Sequence, residues 1–174
     1  AGFLPAERGS VVYPKILNGT NSIGATLHVV SPEVDGGPII LKDEKIISNR
    51  RPSIDQVVSA NNALCTDILK KFVQKFSETS IFSAHPQHAG SGYYFPQPYT
   101  ELNGFINWDW ALDKIEAFIR AFGPPMIGAA TFYKGTRIRI LESSIEQCEI
   151  DFHPIYFGRI VNINEFGYAK VACD

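Results

Sequence analysis

A histidine and an aspartate seven residues apart are the side chains of this sequence best placed to do chemistry together. His28 lies in the segment 24–30, where residues alternate between two faces as in a strand, and Asp35 lies in the turn that follows. Imidazole and carboxylate would meet at one end of a strand, where open α/β sheets place their ligands. Gly36 and Gly37 then predict a backbone with positive φ that a ligand can approach closely. A plain turn role for Asp35 is the structural alternative.

Two strands would present these side chains. The segments 24–30 and 38–47 are predicted strands, and the turn 31–37 predicts that they form an antiparallel hairpin at or near a sheet edge. Ahead of the hairpin, the residues up to position 22 predict a loop with a short helical turn at 14–17.

A long helix is predicted to follow the hairpin, because Ser53 and Gln56 form a capping-box pattern. Apolar residues then recur every three or four positions, as on one face of a helix. They are Ile54, Val57, Val58, Leu64, Cys65, Ile68, Leu69, Phe72 and Phe76. Residues 79–106 have several prolines and glycines and no sustained period, which predicts a connecting arm.

The last third of the sequence predicts one more helix and several strands. Asn107 is the predicted N-cap of the helix, and the segment 123–125, Gly-Pro-Pro, is its predicted end. The predicted inner face consists of Trp108, Ala111, Ile115, Ile119 and Phe122. Strands are predicted at 129–133, 137–141, 158–162 and 168–173, with a hairpin turn at Lys134 and Gly135.

Two groups of motifs resemble the folate-dependent formyltransferases. The first group contains Phe-Leu-Pro-Ala-Glu-Arg-Gly at 3–9, Ile-Leu-Asn-Gly at 16–19, Gly-x-Thr-x-His at 24–28 and Asp-Gly-Gly-Pro-Ile-Ile at 35–40. The second group is similar to the methionyl-tRNA and nucleotide-sugar branches of that family and lies at 104–108, 119–125 and 128–131. The resemblance covers most of residues 2–141.

This resemblance implies an α/β fold class. Residues 1–106 would be the C-terminal half of a Rossmann-like mixed-sheet catalytic domain with its connecting arm, and residues 107–174 a small helix-plus-β appendage. Asp35 matches the catalytic aspartate of the family, and we assign His28 and Thr26 supporting roles beside it. The implied folate-binding residues are Leu4, Pro5, Val30, Ser31, Val34 and Gly36.

The sequence departs from the family at two of its three catalytic positions. The family's Asn and the His two residues after it would stand just before Ala1, so neither matches a residue of this chain. We therefore expect the chain to be the C-terminal portion of a longer enzyme and to be inactive by itself.

The implied reaction transfers a formyl group from N10-formyltetrahydrofolate, a co-substrate, to the amine of a nucleotide-linked amino sugar, with no metal. The implied setting is lipopolysaccharide O-antigen biosynthesis in the cytoplasm, with no membrane partner and with homodimer formation left open. The alternatives are methionyl-tRNA formyl transfer, hydrolysis of the formyl donor, and a non-catalytic binding module. The charge disfavours nucleic acid, because residues 100–174 contain seven Lys or Arg against ten Asp or Glu.

The remaining candidate ligands are cysteines and histidines, and structural roles are predicted for them. Cys65, Cys148 and Cys173 have no metal-ligand spacing, so they are predicted to be buried free thiols. The histidines His85, His88 and His153 are interpreted as solvated loop residues.

Two further groups of residues have two alternative roles each. The aromatic segment 93–95 either stacks on a base or pterin or, as the favoured reading, packs the arm on the domain. Arg8 and Lys15 are either phosphate contacts or solvated charges.

Overall fold

The computed structural model describes residues 2–88, 90, 92–149 and 151–174. Its contacts divide the chain into two compact units, Ala1–Pro98 and Tyr99–Asp174. Both units mix helices with two-stranded sheets, so the predicted α/β class is confirmed.

The core of the first unit is an antiparallel hairpin, as predicted. Strand β2 spans Ser22–His28 and strand β3 spans Ile39–Ile46, with a register irregularity between Leu27 and His28. The residues in the middle of β2 are buried, including Ala25 and Thr26. The predicted strand 24–30 is too long at its end, because Val29 and Val30 lie outside β2 and are exposed.

The hairpin packs against helix α2, Ile54–Thr79. The predicted capping box is present: the Ser53 hydroxyl accepts the Gln56 N–H, and the Gln56 side chain accepts the Ser53 N–H. The buried face is narrower than the predicted stripe, with four buried residues: Ile54, Val57, Leu64 and Ile68. Val58 and Leu69 are exposed because each lies beside the buried face of the helix, next to Val57 and Ile68. Phe76 is exposed because the last turns of the helix extend beyond that face.

A small parallel sheet holds the beginning of the chain to the predicted arm. Strand β1, Glu7–Gly9, pairs with β4, Tyr93–Phe95, and helix α1, Val12–Leu17, follows β1. The segment 79–106 is therefore more than a connection, because it also contributes helix α3, Thr100–Asn103, to the second unit. Strands β1 and β4 are hard to predict from the sequence because they pair with each other across a long stretch of chain. Such pairing leaves no periodic pattern of apolar residues within either strand.

The second unit is built on helix α4, Leu112–Phe122. Seven of its residues are buried, among them Ile115, Ile119 and Phe122 of the predicted inner face. The predicted Asn107 cap is wrong, since Ala111 is the N-cap and the Asn107 side chain accepts the N–H of Asp109 instead. Helix α4 ends at Gly123 as predicted.

Two hairpins complete the second unit. Strands β5, Ala129–Tyr133, and β6, Thr136–Ile140, are joined by the predicted turn, in which Lys134 and Gly135 both have positive φ. After a 3-10 helix at Pro154–Tyr156, strands β7, Ile160–Ile163, and β8, Ala169–Val171, form the second hairpin.

The three cysteines are free, as predicted, but their predicted burial is wrong. Cys65 and Cys148 are exposed and Cys173 is half-buried. Cys65 lies beside the narrow buried face of α2 and not on it. Burial raises the pKa of the Cys173 thiol. In the part of the chain that the structure describes, no helix combines the length and the apolar character needed to cross a membrane.

Candidate active site

The hairpin brings His28 and Asp35 together. Strand β2 ends at His28, and the turn that follows folds back so that His28 Nε2 lies 3.5 Å from Asp35 Oδ1. Each side chain is 18% exposed, so both are partly shielded but still accessible from solvent. The other ring nitrogen, Nδ1, lies 2.9 Å from the carbonyl oxygen of Val29.

The backbone of the turn differs from the prediction in one respect. Asp35 itself has the positive φ, 52°, whereas Gly36 and Gly37 are not in the left-handed region. An Asp tolerates this conformation better than most residues do. Gly37 is needed for close approach, because a Cβ there would overlap the carbonyl oxygen of Val29. The glycine thus lets the turn close onto the end of β2 and bring Asp35 back toward His28.

A residue that the sequence analysis did not assign holds the second carboxylate oxygen of Asp35. The Gly9 N–H donates to Asp35 Oδ2 over 2.8 Å. Gly9 ends β1 and has φ 82°, and a Cβ there would overlap the carbonyl oxygen of Phe95 in β4. The small parallel sheet therefore places one backbone donor 26 residues away from the carboxylate that it binds.

Thr26 lies two residues before His28, but its hydroxyl serves the N-terminal loop. It donates to the Gly2 carbonyl over 2.7 Å and accepts the Leu4 N–H over 3.1 Å. Leu4 is fully buried, its backbone together with its side chain. The Leu4 carbonyl accepts from Lys42 Nζ over 3.2 Å. Thr26 thus fixes the segment that contains Leu4 and Pro5.

The other predicted folate-binding residues lie around the turn. Val30 is 92% exposed and Val34 is 62% exposed, so both offer apolar surface that a flat aromatic ligand would cover. The Ser31 hydroxyl donates to the Glu33 carbonyl, and the Gly36 N–H also donates to Glu33. These residues fit a folate donor in one respect: exposed apolar side chains flank the Asp35 carboxylate, and hydrogen bonds within the turn hold its backbone.

The charged candidates of the N-terminal segment are paired within the protein. Lys15 forms an ion pair with Glu7. Arg8 donates through Nη2 to Gln87 Oε1 over 3.1 Å, while its Nε is buried with no hydrogen-bond partner among the described residues. A phosphate-binding role for Lys15 would therefore compete with an existing carboxylate.

The remaining candidates lie away from Asp35 or on the surface. His85, His88 and His153 are exposed. Tyr93 and Tyr94 are largely exposed. The segment 93–95 holds the arm to β1 through its backbone pairing, and of its three rings Phe95 is the half-buried one. Among the described residues, no group of three or more His, Cys, Asp or Glu side chains is arranged to hold a metal ion.

A carboxylate held in this way is suited to proton transfer. One oxygen of Asp35 accepts a backbone N–H, and the other faces the His28 imidazole at 3.5 Å. The arrangement orients a base beside a partly shielded surface without using up all of its lone pairs.

The chain is similar to known formyltransferases in sequence and in fold. Residues 99–174 match the family described as formyl transferase, C-terminal domain. The methionyl-tRNA formyltransferase of Clostridium beijerinckii is 27% identical over 176 residues, which cover 99% of this chain and 54% of that protein. The chain therefore spans about half the length of this relative.

Two solved structures share the fold. The N-formyltransferase from Helicobacter canadensis, in complex with folinic acid and dTDP-3-aminofucose, has a TM-score of 0.65 at 21% identity over 94% of this chain and 55% of that chain. HypX from Aquifex aeolicus, in complex with tetrahydrofolic acid, has a TM-score of 0.71 at 16% identity over 99% of this chain and 29% of that chain.

Proposed function

We propose, from the premise that this chain belongs to the folate-dependent formyltransferase family, that it supplies Asp35 to an active site for formyl transfer. The observation that carries the proposal is the placement of the Asp35 carboxylate between His28 and the Gly9 N–H. The donor is N10-formyltetrahydrofolate, and the acceptor is a primary amine.

The chemistry requires a group of this kind. The amine nitrogen attacks the formyl carbon, and a tetrahedral intermediate forms. The bond between the formyl carbon and N10 then breaks, while one proton moves from the attacking amine to N10. Asp35 takes up and returns this proton. Its carboxylate also favours the protonated form of the family's catalytic histidine, which lies near the developing oxyanion and is not matched in this chain. His28 orients Asp35. The Asn and His that complete the family's set are not matched in this chain, so the reaction belongs to the longer protein.

The donor would dock on the turn that contains Asp35. Val30 and Val34 offer the exposed apolar surface for the pterin, and the half-buried Pro5 would border it from the N-terminal loop. Leu4 is fully buried and would act by fixing that loop through its hydrogen bonds to Thr26 and Lys42. Ser31 and Gly36 act through the shape of the turn.

We propose a nucleotide-linked amino sugar as the acceptor, as in O-antigen biosynthesis. The support comes from the charges of the second unit. Most of its cations are already paired with carboxylates: Arg120 with Glu116, Arg137 and Arg139 with Glu101, and Lys170 with Glu146. Nucleic-acid backbones are bound by cations that release counterions, and cations held by carboxylates contribute less to that release.

Methionyl-tRNA formyl transfer is the second candidate. Its support is the sequence similarity to the Clostridium beijerinckii enzyme over 99% of this chain. The two candidates differ in the acceptor and share the donor and the role of Asp35.

The role of Asp35 is tested by Asp35→Asn in the full-length protein, with tetrahydrofolate release from N10-formyltetrahydrofolate as the assay. We expect kcat to fall about 10²- to 10⁴-fold, because the amide cannot take up the proton. Asp67→Asn, on the exposed surface of α2, is the matched control and should keep the wild-type rate. A near-wild-type kcat for Asp35→Asn would reject the proposed role.

The acceptor is tested by comparing a dTDP-linked amino sugar with methionyl-tRNA in the same assay, together with filter binding of tRNA. We expect turnover with the sugar and only weak, salt-sensitive tRNA binding. Sub-micromolar tRNA affinity with turnover on methionyl-tRNA would replace the sugar proposal with the second candidate.

A further inference from the structure

Gln87 makes three hydrogen bonds that converge on the turn containing Asp35. Its Nε2 donates to the Asp35 carbonyl over 2.9 Å and to the Gly37 carbonyl over 2.6 Å. Its Oε1 accepts from Arg8 Nη2 over 3.1 Å. One side chain thus binds both ends of the three-residue stretch that begins at Asp35, from a position about fifty residues further along the chain.

The amide of Gln87 is oriented by its surroundings. Arg8 has only donors, so the amide must present its oxygen to Arg8 and its nitrogen to the turn. The backbone of this segment is also held, because His85 and Ile39 exchange two N–H···O bonds of 2.8 Å at the beginning of β3. Gln87 is therefore placed by contacts with Arg8 and with the beginning of β3, in addition to those that it makes with the turn.

The turn depends on donors of this kind. Asp35 has φ 52°, a conformation that an L-residue occupies at a cost unless the surroundings hold it. Gly37 is buried, so its carbonyl would lose a partner that water does not readily replace. Gln87 Nε2 meets both needs, because it donates to the Asp35 carbonyl and to the Gly37 carbonyl.

We propose that Gln87 is a positioning residue for Asp35: it fixes the turn so that the carboxylate stays between His28 and Gly9. The proposal rests on the proposed function, because it assumes that Asp35 takes part in the reaction. Gln87 acts through the backbone of the turn and does not touch the substrate.

A double-mutant cycle in the full-length protein tests this coupling. Gln87→Met keeps the side-chain length and removes all three hydrogen bonds, and we expect kcat to fall by about tenfold or more because the carboxylate loses its position. In the Asp35→Asn background the same substitution should change kcat less than about twofold, since the group that it positions is already disabled. Gln97→Met, at an exposed glutamine ten residues away, is the control and should leave kcat unchanged.

A second variant tests the Nε2 donor of Gln87 apart from its Oε1 acceptor. Gln87→Glu keeps an acceptor for Arg8 but sets a carboxylate oxygen against the carbonyls of Asp35 and Gly37, so its kcat should fall at least as far as that of Gln87→Met. Equal losses from Gln87→Met with and without Asp35 would overturn the proposal, as would a kcat for either Gln87 variant within twofold of wild type.

A measurement without catalysis distinguishes failure of this proposal from failure of the proposed function. In 15N-glycine-labelled protein, Gln87→Met should move the Gly9 amide resonance and speed its hydrogen exchange, because the N–H loses its fixed carboxylate partner. Gln97→Met should do neither. If Asp35→Asn retains full turnover, the proposed function fails, and this resonance alone decides: a shift supports positioning by Gln87, and an unchanged Gly9 resonance overturns it.

Discussion

Residues 2–98 and residues 99–174 are both small α/β units, but they use their polar side chains differently. In the first unit, Gly9 and Gln87 come from separate segments and converge on the turn of the hairpin that contains His28 and Asp35. In the second, the buried Glu116 and the half-buried Arg120 lie four residues apart on one helix and form an ion pair with each other. The family match covers 99–174, whereas the candidate chemistry lies in the first unit. The part of this chain that matches the family description is thus not the part that holds the candidate reacting groups.

The largest expected effect concerns the packing of the second unit. Phe122 is fully buried and its ring lies 4.6 Å from that of Phe118, so Phe122→Ala should lower the free energy of unfolding by about 3–5 kcal/mol. Hydrogen exchange should lose protection in 112–140 and keep it in 22–46. Phe166→Ala, at an exposed phenylalanine, should change neither. Equal loss of protection in both segments would show that the substitution also destabilises the first unit.

Gly37→Ala should affect the chemistry of the first unit. The added Cβ meets the Val29 carbonyl oxygen, so the turn must move and carry Asp35 with it. We expect kcat in the full-length protein to fall about a hundredfold, as displacement of a reacting group by about 1 Å usually causes. Gly135→Ala is the counterpart in the second unit, where a Cβ meets no atom, and it should cost about 1 kcal/mol of stability with kcat unchanged. A wild-type kcat for Gly37→Ala would show that the turn tolerates displacement.

Thr26→Val should weaken the first unit through its N-terminal loop. The substitution keeps the shape of the side chain and removes two buried hydrogen bonds, to Gly2 and Leu4, so stability in urea should fall by about 2 kcal/mol. Thr66→Val removes one exposed hydroxyl that donates to Asn62 and should have little effect. If both variants unfold at the same urea concentration, Thr26 does not hold the loop.

The smallest effect is expected at the exposed pair of Asp43 and Lys71. The hydrogen bond from Lys71 lowers the pKa of Asp43, and the pKa of Lys71 is raised by the same contact. The contribution of Asp43 is present above its unfolded pKa of about 3.9 and is lost as the pH falls through its lower folded value. That of Lys71 is present below about 10.4 and is lost as the pH rises through its higher folded value.

Asp43→Asn should therefore lower Tm slightly at about pH 7 and by less at about pH 2, because the contribution of the carboxylate fades as the pH falls through its folded pKa. Thermal melts at the two pH values measure this difference, and a larger loss at low pH would reverse the sign of the argument.

Local patterns predicted much of the fold. The capping box at Ser53, the hairpin on either side of Asp35, the turn at Lys134 and the end of α4 at Gly123 all depend on residues within a few positions of each other. Periodicity and turn chemistry act over that same range, which is why these features were readable in the sequence. The predicted cap at Asn107 is wrong for a reason that is also local: its side chain accepts the N–H of Asp109, two residues away, and α4 begins after Ala111.

The candidate site likewise combines contacts between nearby residues with contacts between distant ones. The sequence by itself determined that His28 and Asp35 meet, because a hairpin returns the chain to its own strand end within seven residues. Only the tertiary structure decided that Gly9 holds one oxygen of the carboxylate and that Gln87 holds the turn, since these contacts join segments 26 to 52 residues apart. Such contacts depend on how separately folded segments pack. No spacing along the chain encodes that packing in a readable pattern.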